Sequence, residues 1–134
     1  MNDRSRVVRS EEFRWVGVPV LPYRDRPDRY QGVVKQVLLG GSGEDERLSF
    51  ETRYFEVEPG GYSMLERHGH AHAVVVIRGA GSVQLEGADH AIRPFDCVYV
   101  APDAAHQFRA DRGAALGFLC IVDRRCDRPR PADD

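Results

Sequence analysis

Cysteine is scarce in this sequence: among 134 residues there are only Cys97, Cys120 and Cys126, with no CxxC pair. An odd, scattered set of thiols argues against a disulfide framework and fits a reducing compartment. Excess charge is missing too. Nineteen basic side chains against 21 acidic ones leave a net charge of -2, which gives no electrostatic reason to expect nucleic acid or an anionic membrane as partner. Long apolar runs are absent: the longest, 114–122, includes Gly117 and falls short of the roughly 18 residues a membrane span needs. The opening Met1-Asn2-Asp3-Arg4-Ser5-Arg6 is charged, and Val7-Val8 is too short for the apolar segment of a signal peptide. The expected location is the cytoplasm. Sustained helical periodicity is lacking, and the single tryptophan, Trp15, lies in an N-terminal apolar run suited to packing or a dimer contact.

What is present is enough apolar material, 42% of the chain, for one compact domain. It comes as short runs punctuated by turn formers. The segments 16–21, 33–39, 48–57, 73–77, 82–85, 97–100, 106–109 and 116–122 read as strands. Between them stand Gly40-Gly41-Ser42-Gly43, Glu58-Pro59-Gly60-Gly61, Gly79-Ala80-Gly81, Glu86-Gly87-Ala88-Asp89 and Ala101-Pro102-Asp103. That spacing predicts an all-β sandwich or small barrel. The expected division is residues 1–46 as N-terminal strands and loops packing on the barrel or on a dimer partner, 47–122 as the barrel core, and 123–134 as an extended or frayed tail. Residues 24–29, Arg-Asp-Arg-Pro-Asp-Arg, read as a solvated loop.

The chemistry is concentrated in one place. Glu66, His68, His70 and His72 occupy alternate positions, and His106 completes the set of candidate ligands in a chain with five histidines. On a strand, residues i and i+2 share a face about 6.6 Å apart, whereas i and i+4 are about 13 Å apart and cannot reach one ion. The segment must therefore arch, and the small Gly69 and Ala71 permit it. One geometry pairs Glu66 with His68, brings His72 back on the next strand and leaves His70 at the apex; the other pairs His68 with His70 and leaves Glu66 outside. The plain alternative is a set of exposed loop histidines.

With Gly60 and Gly79 as anchors, the pattern Gly60, Glu66, His68, His72, Gly79 resembles the first motif of the cupin superfamily, in register at every anchor. The chemistry is permuted: Glu66 stands where that family usually has its first His, and His72 where it usually has Glu. Residues 96–108, ending in His106-Gln107-Phe108, resemble the second motif, although Phe95, Ala101, Asp103 and Ala110 replace its common Gly, Pro, Gly and Asn. The resemblance covers about residues 47–122. It implies a double-stranded β-helix, the cupin jelly-roll barrel, with one divalent transition-metal ion per chain held inside by Glu66, His68, His72 and His106, and it implies a homodimer. His70 is the alternative ligand or an orienting neighbour. Imidazole with one carboxylate suits manganese or iron first, then nickel, cobalt or zinc.

Pocket-lining candidates are Phe108, Cys97 and Tyr99, by alternation with His106 and the strand before it, and Tyr54 and Met64, by nearness to the motif. The plain readings are core packing for the aromatics and inert buried thiols for Cys97 and Cys120. The resulting expectation is a small metal-dependent enzyme acting on a small organic molecule, a dioxygenase or else an isomerase, decarboxylase or lyase. The alternative is a metabolite-sensing module without catalysis.

Overall fold

A computed structural model of the chain describes residues 5–41, 47–125 and 130–131. Two short strands, β1 (Ser10–Glu11) and β2 (Arg14–Trp15), form a small hairpin. The remaining eleven are β3 (Leu21–Pro22), β4 (Gln31–Leu39), β5 (Phe50–Tyr62), β6 (Glu66–Arg67), β7 (His72–Gly79), β8 (Gly81–Leu85), β9 (Ala88–Ile92), β10 (Cys97–Val100), β11 (His106–Ala110), β12 (Leu116–Asp123) and β13 (Arg130–Pro131). They make one curled antiparallel sheet. One side runs β10-β7-β12-β5-β4-β3 and the other β9-β8-β11-β6-β13, joined where Tyr62 at the end of β5 meets Arg109 of β11. This is the all-β jelly-roll barrel. Among the described residues the only helical turn is a 3-10 turn at Pro27–Arg29, and no helix is long and apolar enough to cross a membrane.

The inner faces close on a core in which Phe118 stacks on Phe108 at 4.3 Å and on Phe55 at 5.5 Å, tying β12, β11 and β5 together. Val57, Val76 and Leu116 are wholly buried around them. Each such side chain contributes about 1.5–3 kcal/mol when fully removed from water.

Four elements differ from expectation, each for a physical reason. Residues 16–20 are not a strand, and of that expected stretch only Leu21 is, in β3. Buried Gln36 on β4 accepts from the Trp15 N–H and donates to the carbonyls of Trp15 and Val18, so that segment's polar backbone groups are tied to a side chain instead of a ladder. The break at 58–61 is a bulge inside β5: Val33 pairs with Val57 and Gln31 with Tyr62, leaving Glu58-Pro59-Gly60-Gly61 looped out. The turn at 86–89 is shorter than expected. Glu86 and Gly87 carry it alone with φ of 50° and 87°, the mirror-image turn favoured in tight hairpins, and Ala88 already pairs with Leu85 in β9. The supposed solvated loop at 24–29 begins with Arg24, which is drawn into the barrel. Of the tail, Arg130–Pro131 pairs with β6. Cys126, Ser42 and Gly43 lie outside the described residues.

Candidate metal centre

Glu66 and His68 lie on and just beyond β6 with one residue between them, and Glu66 is the direct cross-strand partner of His106 on β11. Cross-strand partners point to the same face. His72 opens β7 opposite Val100, so it enters from the adjoining strand after the chain arches through Gly69, His70 and Ala71. All four are buried, between 3% and 6% exposed. The imidazole rings crowd together, with centroid separations of 4.1 Å for His68 and His72, 4.9 Å for His68 and His106, and 6.0 Å for His72 and His106.

Donor atoms of Glu66, His68 and His106 lie within 4.8 Å of one another, as do those of His68, His70 and His72. Two donors on opposite sides of an ion sit about 4.2 Å apart, so both groups are close to the required spacing. His68 belongs to both. His70 is half-buried at the apex of the arch, 6.1 Å from the His68 ring centre and 5.5 Å from that of His72.

The hydrogen bonds leave particular atoms for a ligand. His106 Nδ1 lies 2.9 Å from the Ala104 carbonyl, which can only accept, so Nδ1 carries the proton and Nε2 keeps its lone pair. His72 Nδ1 contacts Cys120 Sγ at 3.1 Å, and its Nε2 is buried without a hydrogen-bond partner. Glu66 Oε1 accepts from Tyr23 Oη (3.0 Å) and Arg24 Nη2 (2.9 Å) and lies 3.2 Å from His68 Nε2, while buried Oε2 accepts from nothing. A buried carboxylate oxygen and an imidazole nitrogen left unpaired in one cavity are costly unless a cation joins them. The donor set and these orphaned atoms fit a divalent transition-metal ion.

The electrostatics agree with neutral His72 and His106 beside a charged carboxylate. Burial opposes the charge on Glu66, but the His68 hydrogen bond and the Arg24 charge outweigh it and hold its pKa at about 2. Burial, followed by the neighbouring His68 and His106, pushes His72 down to about 2. Burial also lowers His106. Burial and the Glu66 charge raise the Tyr23 hydroxyl above its ordinary value, keeping it a donor.

The site lines a pocket of about 440 Å³, a space that extends into open solvent. Its walls are Phe55, Phe108, Phe118, Val33, Val74, Val100 and Cys120, with Tyr23, Arg24, Arg53 and Ser63 as the polar additions to the ligand set. Of the pocket candidates, Phe108 is in the wall. Cys97 and Tyr99 are not: β10 has the opposite phase, with Val98 and Val100 inward, so Cys97 is exposed and Tyr99 is 67% exposed. Tyr54 is buried on the outer face, its hydroxyl donating to Glu56 and its ring 4.7 Å from Trp15. Met64 is buried in the core and outside the cavity wall.

Sequence reasoning missed Tyr23 and Arg24, which have no local signal, and Arg53, whose alternation with inward Phe55 would have revealed it. Cys120→Ala is expected to weaken metal affinity about tenfold by freeing the His72 ring, within the range for loss of a partner that orients a ligand; titration calorimetry with Mn(II) measures it.

Comparison with known proteins agrees with this geometry. A family model described as a cupin domain matches residues 53–122. The chain is 43% identical over 120 residues to a 1-methylthio-D-xylulose 5-phosphate methylsulfurylase of Rhodospirillum rubrum, covering 89% of this chain and 74% of the relative. The crystal structure of a cupin-2 domain protein from Rhodospirillum rubrum superposes with a TM-score of 0.81 at 40% identity, covering 98% of this chain and 86% of that one. That of a cupin 2 conserved barrel domain protein from Rhodopseudomonas palustris does so with a TM-score of 0.84 at 43% identity, covering 97% and 89%. With fold, ligand cluster and sequence in accord, the chain belongs to the cupin family.

Proposed function

We propose that the protein is a metal-dependent enzyme acting on a small phosphorylated thioether sugar, with one ion held by Glu66, His68, His72 and His106. The observation that carries this is the pair of buried, unpaired atoms, Glu66 Oε2 and His72 Nε2, facing the same cavity as His68 and His106. The substrate class follows the 43% identical relative, whose name specifies a methylthio pentulose 5-phosphate. When bound, such an ion, with manganese or iron first in expectation, supplies Lewis-acid polarisation of a substrate oxygen.

The chain's own residues do the rest. Tyr23 and Arg24 hold Glu66 by Oε1 so that Oε2 faces the site; the Ala104 carbonyl and Cys120 fix the rings of His106 and His72. Phe55, Phe108, Phe118 and Val100 exclude water from one side of the cavity. In a site of low polarity these fixed groups act more strongly than they would in water.

Glu66 is the fourth ligand in this reading because it is buried and lines the cavity with His68, His72 and His106, whereas His70 is half-buried and outside the cavity wall. Glu66→Gln is expected to lower Mn(II) affinity at least tenfold, with His70→Gln close to wild type; calorimetric titration of both decides, and the reverse order moves the site to His68, His70 and His72. Activity is tested by incubating the metal-loaded protein with 1-methylthio-D-xylulose 5-phosphate, with and without an added thiol that gives hydrogen to the carbon and takes up the methylthio group as a mixed disulfide, and following the loss of that group from the sugar. Oxygen uptake instead of that loss would return the reading to a dioxygenase, and tight binding without turnover to a sensing module. Exposed Val7, Val16, Val20 and Leu21 favour a second copy as partner, in the cytoplasm, and light scattering measures the assembly.

A further inference from the structure

Resting on that reading, we infer that Arg24, Lys35 and Arg53 form a phosphate-binding subsite at the rim of the metal cavity. Arg24 and Arg53 line the cavity. Lys35, the chain's only lysine, is the direct cross-strand partner of cavity-lining Phe55, so its side chain rises from the same face of the sheet, half-buried. Val37 beside it is paired with Arg53, which makes Lys35 and Arg53 diagonal neighbours on that face.

Three cations on the inner face of a barrel are unusual, because inward positions are filled by apolar side chains unless something needs the charge. Their proximity is felt: burial first, then the charges of Arg24 and Arg53, lower the pKa of Lys35. Glu51 pairs with Arg53, and Glu66 accepts from Arg24. Arg24 keeps a buried Nε without a hydrogen-bond partner, a donor available to a phosphate oxygen. Arg24 lies over the Tyr23 ring at 4.2 Å and so is held at the rim between ion and anion.

The test is calorimetric titration of the metal-loaded protein with D-xylulose 5-phosphate, D-xylulose and D-xylonate, alongside elemental analysis of each sample. The expected result is that the phosphate ester binds at least tenfold more tightly than either of the others. Lys35→Gln and Arg53→Gln should each remove most of that preference, with metal content and D-xylulose affinity unchanged, and Lys35→Arg should restore it. Equal affinity for the three probes, no measurable binding of the ester at millimolar concentration, or an undiminished preference in both glutamine variants would overturn the subsite. Equal binding of ester and xylonate would overturn the phosphate class in favour of a general anion site. The two readings fail separately: a wild type holding one ion without phosphate preference sinks the subsite alone, and a protein that holds no ion yet prefers the ester supports the subsite and sinks the metal reading.

Discussion

Replacing His106 by alanine is expected to strip the protein of most of its metal when purified without chelator and to lower its affinity for Mn(II) at least tenfold, about 1.4 kcal/mol. His106 comes from β11, the strand that closes the far side of the barrel, while the other three donors come from the stretch 66–72. It sits opposite Glu66 on the neighbouring strand of the same half of the sheet, while His72 enters from β7 in the other half. The Ala104 carbonyl fixes its tautomer, which leaves Nε2 to the ion. The fold should survive, because the side chain borders a cavity and its loss enlarges an existing space. Elemental analysis and calorimetry read the result; full occupancy and unchanged affinity in the variant would mean that β11 contributes nothing to the site.

Gly79→Ala is expected to destabilise the protein by about 3 kcal/mol or more, from backbone strain and overpacking together. Gly79 has φ of 78°, and a Cβ there would overlap the backbone carbonyl oxygen of Ala115. That oxygen cannot withdraw, since the next residue, Leu116, is paired with Gly79 in the sheet and wholly buried. Gly60 makes the control. Its φ of 77° is nearly the same, yet a Cβ at Gly60 would meet open space. Gly60→Ala should therefore cost only the left-handed conformation, about 1 kcal/mol. Urea unfolding of both variants separates strain from collision, and equal losses would show that the Ala115 contact relaxes.

Legibility followed the range of the interactions. The arch through Gly69 and Ala71 could be read because the 6.6 Å and 13 Å reach along a strand, each approximate, forbids a straight segment from gathering Glu66, His68 and His72. The strands 33–39, 73–77 and 116–122 could be read because apolar runs between turn formers bury one way only. Residues 16–20 could not, because their backbone bonds run to Arg9, to Trp15 and to the side chain of Gln36 on another strand, outside any ladder. Cys97 and Tyr99 were misplaced by one step of phase. A period of two gives a strand two equivalent readings, and only the pairing of Val98 with Val74 and of Val100 with His72 selects the inward one.

By itself the sequence determined the all-β class and the alternate spacing of Glu66, His68 and His72, because each depends on neighbours a few residues apart. The tertiary structure alone decided that Tyr23 and Arg24 grip Glu66 from 42 and more residues away, that Cys120 steadies His72, and that Lys35 and Arg53 share the cavity face. Those contacts arise where the sheet curls on itself, and a curl sums many small strand twists that no local pattern records.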